Sequence, residues 1–153
     1  MRARAGVLLA LLLAAVVAGC GGSESKDNDN YVQALNRAQT GLAERFTALQ
    51  KRITATSSAT QDRKTLQAYE DAVGTTVRDL RAIEPPAGFD GLHQRFVGEV
   101  AGYGTALRTA RGQLQGDDPR AILAAQGRLR TAVAQTGRRL NATIQAINAK
   151  LKG

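Results

Sequence analysis

The sequence predicts an all-α fold, an up-down-up-down antiparallel four-helix bundle set behind a separate apolar segment at the N-terminus. Three observations carry that prediction. From Tyr31 onward no stretch alternates with period two, whereas apolar side chains return every three or four residues. The breaks between these runs are short and rich in turn and capping residues, and short connections make antiparallel neighbours. The chain has 153 residues, 43% hydrophobic and 22% charged, which suits one globular domain and excludes disordered and collagen-like chains.

The first run places Leu35, Ala38, Leu42, Phe46, Leu49 and Ile53 on one face, with Asp29 or Asn30 as the expected N-cap. The stretch from Ala55 to Thr60 breaks the pattern, and Ser58 with Gln61 has the spacing of a capping box. A second run follows through Leu66, Tyr69, Val73, Val77, Leu80 and Ile83. It is expected to stop at Glu84-Pro85-Pro86, because proline disfavours helical geometry in the residue before it. The third run starts after Asp90 and carries Leu92, Phe96, Val100, Tyr103, Leu107, Ala110 and Leu114. Gly116 is the expected C-cap, and Asp118-Pro119 supplies a cap followed by proline at the first helical position. The last run carries Ile122, Gln126, Leu129, Val133, Thr136, Leu140, Ile144, Ile147 and Leu151. At 1.5 Å per residue it would be about 48 Å long.

The N-terminal segment is of a different kind. Arg2 and Arg4 precede an uncharged stretch from Ala5 to Ala18, too short for a comfortable bilayer span of about 20 residues. This is the anatomy of a secretory signal peptide. It ends Val17-Ala18-Gly19-Cys20: an aliphatic residue, two small residues, then the only cysteine of the chain. With that box the segment resembles a bacterial lipoprotein precursor. The resemblance implies cleavage between Gly19 and Cys20 and a diacylglyceryl thioether on the Cys20 thiol. Two or more acyl chains, at about 0.8 kcal/mol per buried methylene, anchor stably where one would be marginal. The covalent lipid apart, no cofactor is expected. Residues 21–30, GGSESKDNDN, hold no apolar side chain and are expected to form a flexible tether. The expected organisation is a signal peptide over 1–19, lipidated cysteine and tether over 20–30, and the bundle over 31–153. The stretch from Pro85 to Tyr103, PPAGFDGLHQRFVGEVAGY, also resembles parts of small uncharacterised lipoproteins of high-GC bacteria, which brings no activity with it.

Several chemistries are excluded by composition. One cysteine leaves no intramolecular disulfide and no cysteine-cluster metal site, and one histidine leaves no multi-histidine site. His93 has no ligand partner at metal-binding spacing and falls at the edge of the apolar stripe, where a structural or solvated role is expected. No Glu-x-x-His segment appears, which excludes a di-iron bundle. Gly98, Gly102 and Gly104 follow no strand and form no phosphate loop. No catalytic set is visible and no metal site is expected, so the expectation is a protein that is not an enzyme.

Three groups of residues remain as candidate sites. Gly98, Gly102, Thr105 and Thr109, with Gln94, Ala101 and Gly112, project opposite the apolar stripe of the third run. They make an uncharged ridge of small residues, either a compositional feature of a Gly-rich chain or a face that meets a partner. Tyr69, Tyr103 and Gln126 either pack in the core or line a small pocket between helices. The charge is the third signal: Lys and Arg number 21 against 13 Asp and Glu. Residues 101–153 hold 9 bases and 2 acids, and no acid follows Asp118. Arg120, Arg128, Arg130, Arg138 and Arg139 therefore form either a solvated face or a contact for an envelope polyanion, anionic lipid or acidic protein. Exposed aromatics and a recognisable motif are lacking, so no nucleic-acid partner is expected.

The function expected from the sequence is that of a cell-envelope lipoprotein with a non-enzymatic binding or scaffolding domain. Its partners would be membrane lipid through Cys20 and an envelope protein or anionic polymer. It would sit on the outer face of the cytoplasmic membrane or in the outer membrane. The alternative is a carrier that holds a small ligand inside the bundle.

Overall fold

The computed structural model describes residues 23–50, 58–114 and 118–152. The chain forms four helices: α1 Ser23–Gln50, α2 Ala59–Arg81, α3 Asp90–Gln113 and α4 Pro119–Lys152. They form the antiparallel bundle that the short connections predict. At one end the start of α1 meets the start of α3, where Tyr31 lies 5.9 Å from Phe89. The end of α4 joins them there, as Lys150 Nζ donates to the Gly88 carbonyl at 2.7 Å and stands 5.2 Å over the Phe89 ring. At the other end Arg63, near the start of α2, donates to the Leu114 carbonyl at the end of α3, at 2.7 Å. The closest backbone approaches run between consecutive helices. Among the described residues α1 and α4 make no comparable approach, so α4 packs chiefly on α3.

The helix boundaries follow local chemistry. Ser58 caps α2, accepting at its hydroxyl the Gln61 backbone N–H at 3.2 Å. Asp118 does the same for α4, accepting from the Arg120 N–H at 3.0 Å. After α2 the chain turns through Pro86-Ala87-Gly88-Phe89, closed by the Phe89 N–H on the Pro86 carbonyl at 3.0 Å. Gly88 has φ +81°, the left-handed value that the third position of a type II turn demands and that glycine takes without strain. Asp90 is the first residue of α3 and does not cap it; Phe89 holds the cap position without a side-chain bond. Gly116 lies outside the described residues, and α3 ends at Gln113 with Leu114 as its cap.

Two expectations about the ends of the bundle need correction. The tether expected over residues 20–30 is helical from Ser23, and the cap expected at Asp29 or Asn30 lies inside α1. Once the buried Tyr31-Val32-Leu35 stripe holds a helix, each added residue gains a hydrogen bond without a new nucleation cost. In α4 the inward position is Ala125, 1% exposed, and Gln126 faces out. The first half of α4 is only partly covered, and Leu123 is 68% exposed.

The core is apolar and aromatic. Leu80, Leu35, Val73 and Ile147 are almost fully buried, and Phe46 stacks edge-on against Tyr69 at 4.8 Å and lies 5.7 Å from Tyr103. Gly104 is buried at the α2–α3 seam, where an added Cβ would stand 3.2 Å from Val73 Cγ1. A buried polar pair, His93 and Tyr31, closes the end that holds the Pro85-Pro86 turn. His93 is buried at 5% exposure, and its Nδ1 bonds the Tyr31 hydroxyl at 3.2 Å. Burial pushes the His93 imidazole below its usual value, opposed by a hydrogen bond to the Leu80 backbone and by the charge of Asp90. Burial also raises the Tyr31 hydroxyl, to about 12. His93 is thus a structural tie between α1, α2 and α3.

A pH dependence follows. His93 stays neutral in the folded state at pH values where the unfolded chain already binds the proton. Its contribution is complete above the ordinary histidine value of about 6.5 and is lost as pH falls toward the lowered folded value. Urea midpoints should therefore drop between about pH 7 and pH 5, and His93→Gln should flatten that slope. An equal slope in the variant would assign the effect to other groups.

Candidate functional site

The seam between α3 and α4 opens into a cleft of about 250 Å³ on the solvent side. Its formation follows from side-chain size. Gly98, Gly102 and Ala106 recur on one line of α3 and face Ala132 on α4, so no large side chain fills the space between the helices. A Cβ added at Gly98 or Gly102 would meet nothing within 4 Å. Arg95 on α3 and Arg139 on α4 border this floor, both exposed, and Gln135 and Thr136 complete the α4 wall.

Glu99 lies among these residues. Its Oε1 accepts from Thr143 Oγ1 at 3.1 Å, whereas its Oε2 is shielded from solvent and has no hydrogen-bond partner. Among the described residues neither Arg95 nor Arg139 comes within 4.0 Å of a carboxylate oxygen. The cleft therefore holds two guanidinium groups that lack ion pairs and one carboxylate anchored from α4. Such a set can hold an anionic group by charge-assisted hydrogen bonds.

The fold joins two groups that the sequence presents separately. Gly98 and Gly102 from the small-residue ridge and Arg139 from the basic face line the same cleft. Thr105 and Thr109 are exposed on α3 outside it, and the Thr105 hydroxyl bonds back to the Ala101 carbonyl at 3.4 Å. Arg120, Arg128, Arg130 and Arg138 are exposed along α4 and converge on no common point with Arg139 in the cleft; Arg128 donates to Gln113 Oε1 at 3.1 Å. Part of the positive charge beyond residue 100 is balanced within the bundle. Glu70 on α2 pairs with Arg108 at 2.7 Å and with Arg111 at 3.2 Å.

Of the two alternatives for Tyr69 and Tyr103, packing in the core is the one found, and no pocket shared with Gln126 assembles among the described residues. Tyr69 and Tyr103 are buried against Phe46, and the Tyr69 hydroxyl donates to the Phe46 carbonyl at 3.4 Å. Burial raises both tyrosine hydroxyls above their usual value, and the neighbouring Tyr69 adds to the rise at Tyr103. Gln126 is on the outward side of α4, so the three do not share a cavity. Gly19 and Cys20 lie outside the described residues.

Arg95, Glu99 and Gln135 are the polar cleft residues that the sequence does not single out. Arg95 and Glu99 stand one turn apart beside Gly98, a visible pattern, but nothing in the sequence says that α4 borders that side of α3. Among the described residues no helix is long and apolar enough to cross a membrane. Comparison with family models, with curated proteins and with solved structures finds no match to this chain.

Proposed function

We propose that the chain is the precursor of a cell-envelope lipoprotein, anchored through lipid on Cys20, whose helical bundle acts by binding and not by catalysis. One observation carries this reading: Arg2 and Arg4, an uncharged run of signal-peptide length, and Val17-Ala18-Gly19-Cys20 follow one another in the order that export and lipidation require. The start of α1 at Ser23 supports a domain held close to the lipid surface. In that orientation the Pro85-Pro86 turn and Lys150 and Lys152 face the membrane, on its outer side or on the outer membrane. A second reading, carriage of a small ligand, is favoured by the cleft between α3 and α4 and not by the bundle interior.

The anchor is tested by expressing the chain with a radiolabelled fatty acid in a bacterial host. The wild type should take up label, lose its first nineteen residues and sediment with membranes. Cys20→Ser should remain unprocessed and unlabelled. Lipid label retained in the Cys20→Ser protein would remove the proposal.

A further inference from the structure

We propose that the α3–α4 cleft binds a small molecule through a carboxylate or phosphate group held between the guanidinium groups of Arg95 and Arg139. This rests on the binding role proposed for the bundle and is independent of the lipid anchor. Arg95 and Arg139 reach the cleft from different helices and are both exposed, and among the described residues neither has an ion-pair partner. Arg108 and Arg111 present the contrast, since both are already held by Glu70. The planar guanidinium matches carboxylate and phosphate oxygens two at a time, and a ligand bridging both arginines ties α3 to α4.

Glu99 sets the charge that the cleft accepts. Its carboxylate is fixed by Thr143, and its Oε2 is shielded, so it offsets one of the two positive charges without blocking either guanidinium. One net positive charge suits a single anionic group better than a densely charged polymer. The volume of about 250 Å³ agrees, lying just below the ~300–1,000 Å³ of sites for drug-sized ligands. The body of the ligand would lie on the bare backbone at Gly98 and Gly102, where nothing else occupies the space. Thr136 and Gln135 supply a hydroxyl and an amide beside it.

The experiment is titration of the detergent-purified protein with acetate, a single carboxylate, and, separately, with inorganic phosphate, read from the amide NMR signals of Gly98, Gly102 and Thr136. Saturable shifts at these positions are expected, and the two arms rank carboxylate against phosphate. R95Q and R139Q should each weaken binding about 10-fold or more, as loss of a charge-assisted hydrogen bond implies. R81Q, a change of equal charge on α2, should leave it unchanged. G102L should block the floor without altering charge, with its melting curve as the check on folding, and E99Q should tighten binding by removing the opposing charge. No saturation with either anion at millimolar concentration would overturn the proposal, as would equal weakening in R81Q. Loss of binding in E99Q would also overturn it and would point to a cationic ligand. A Cys20→Ser protein that still binds the anion separates this result from the fate of the lipid anchor.

Discussion

Phe46→Ala should destabilise the bundle by about 3–5 kcal/mol, the usual cost of emptying a buried aromatic site. Phe46 is 2% exposed and links α1 to both α2 and α3, with the Tyr69 ring edge-on at 4.8 Å and the Tyr103 ring at 5.7 Å. Removing its ring leaves two tyrosines facing a void, and the surrounding helices can relax only in part because each is held along its length. The Tyr69 hydroxyl bond goes to the Phe46 main chain, so the substitution isolates packing from hydrogen bonding. Urea denaturation followed by circular dichroism measures the effect as a lower midpoint with an unchanged slope. Leu123→Ala is the matched control: that side chain is 68% exposed, and its loss should change stability by no more than about 0.5 kcal/mol. Equal losses at the two positions would mean that the aromatic cluster is not the centre of the core.

Gly104→Leu should cost about 1–3 kcal/mol or more, and Gly102→Ala should instead stabilise the helix by about 1 kcal/mol. The two glycines sit on the same helix two residues apart, and their helical propensities are identical. Their surroundings are opposite. A Cβ at Gly104 stands 3.2 Å from Val73 Cγ1, and the rest of a leucine would be driven into the α2–α3 seam. A Cβ at Gly102 meets open space in the cleft and simply restricts the unfolded chain. Thermal melts of the two variants beside the wild type would decide it. Destabilisation by Gly102→Ala equal to that of Gly104→Leu would show the cleft to be closed in solution.

These glycines also mark the limit of what spacing can reveal. The apolar period of α3 places Phe96, Val100, Tyr103 and Leu107 inward, and all four are buried. The same period puts Gly98 and Gly102 outward, and both are exposed. Periodicity does not record how near a second helix comes, so Gly104 looks like its neighbours until α2 is laid beside it. The last helix shows the limit from the other side. Its apolar spacing predicts a buried Gln126, but burial of Ala125 turns Gln126 outward. Long helices with small residues offer nearly equal faces, and the packing partner chooses between them. The N-terminal polar stretch differs from its expectation for a related reason. The lack of apolar side chains over residues 21–30 predicts a tether, but helix extension depends on the structured turn that follows it.

By itself the sequence determined the helical class, the number of helices, the starts of α2, α3 and α4, the stop of α2 before Pro85 and the bulk of the core. Those properties depend on neighbours along the chain: apolar spacing, the serine cap at Ser58, the aspartate cap at Asp118 and the prolines after Glu84. It also carries the whole case for export and lipidation, since that signal is linear. The tertiary structure decided which side chains meet across helices. It brought Arg95 and Glu99 on α3 to Arg139 on α4, buried His93 against Tyr31, and placed Tyr69 and Tyr103 in the core instead of a pocket. The physical reason is that a cleft depends on the rotation and separation of two helices, and those are set by the sum of contacts along a seam and by no single local motif.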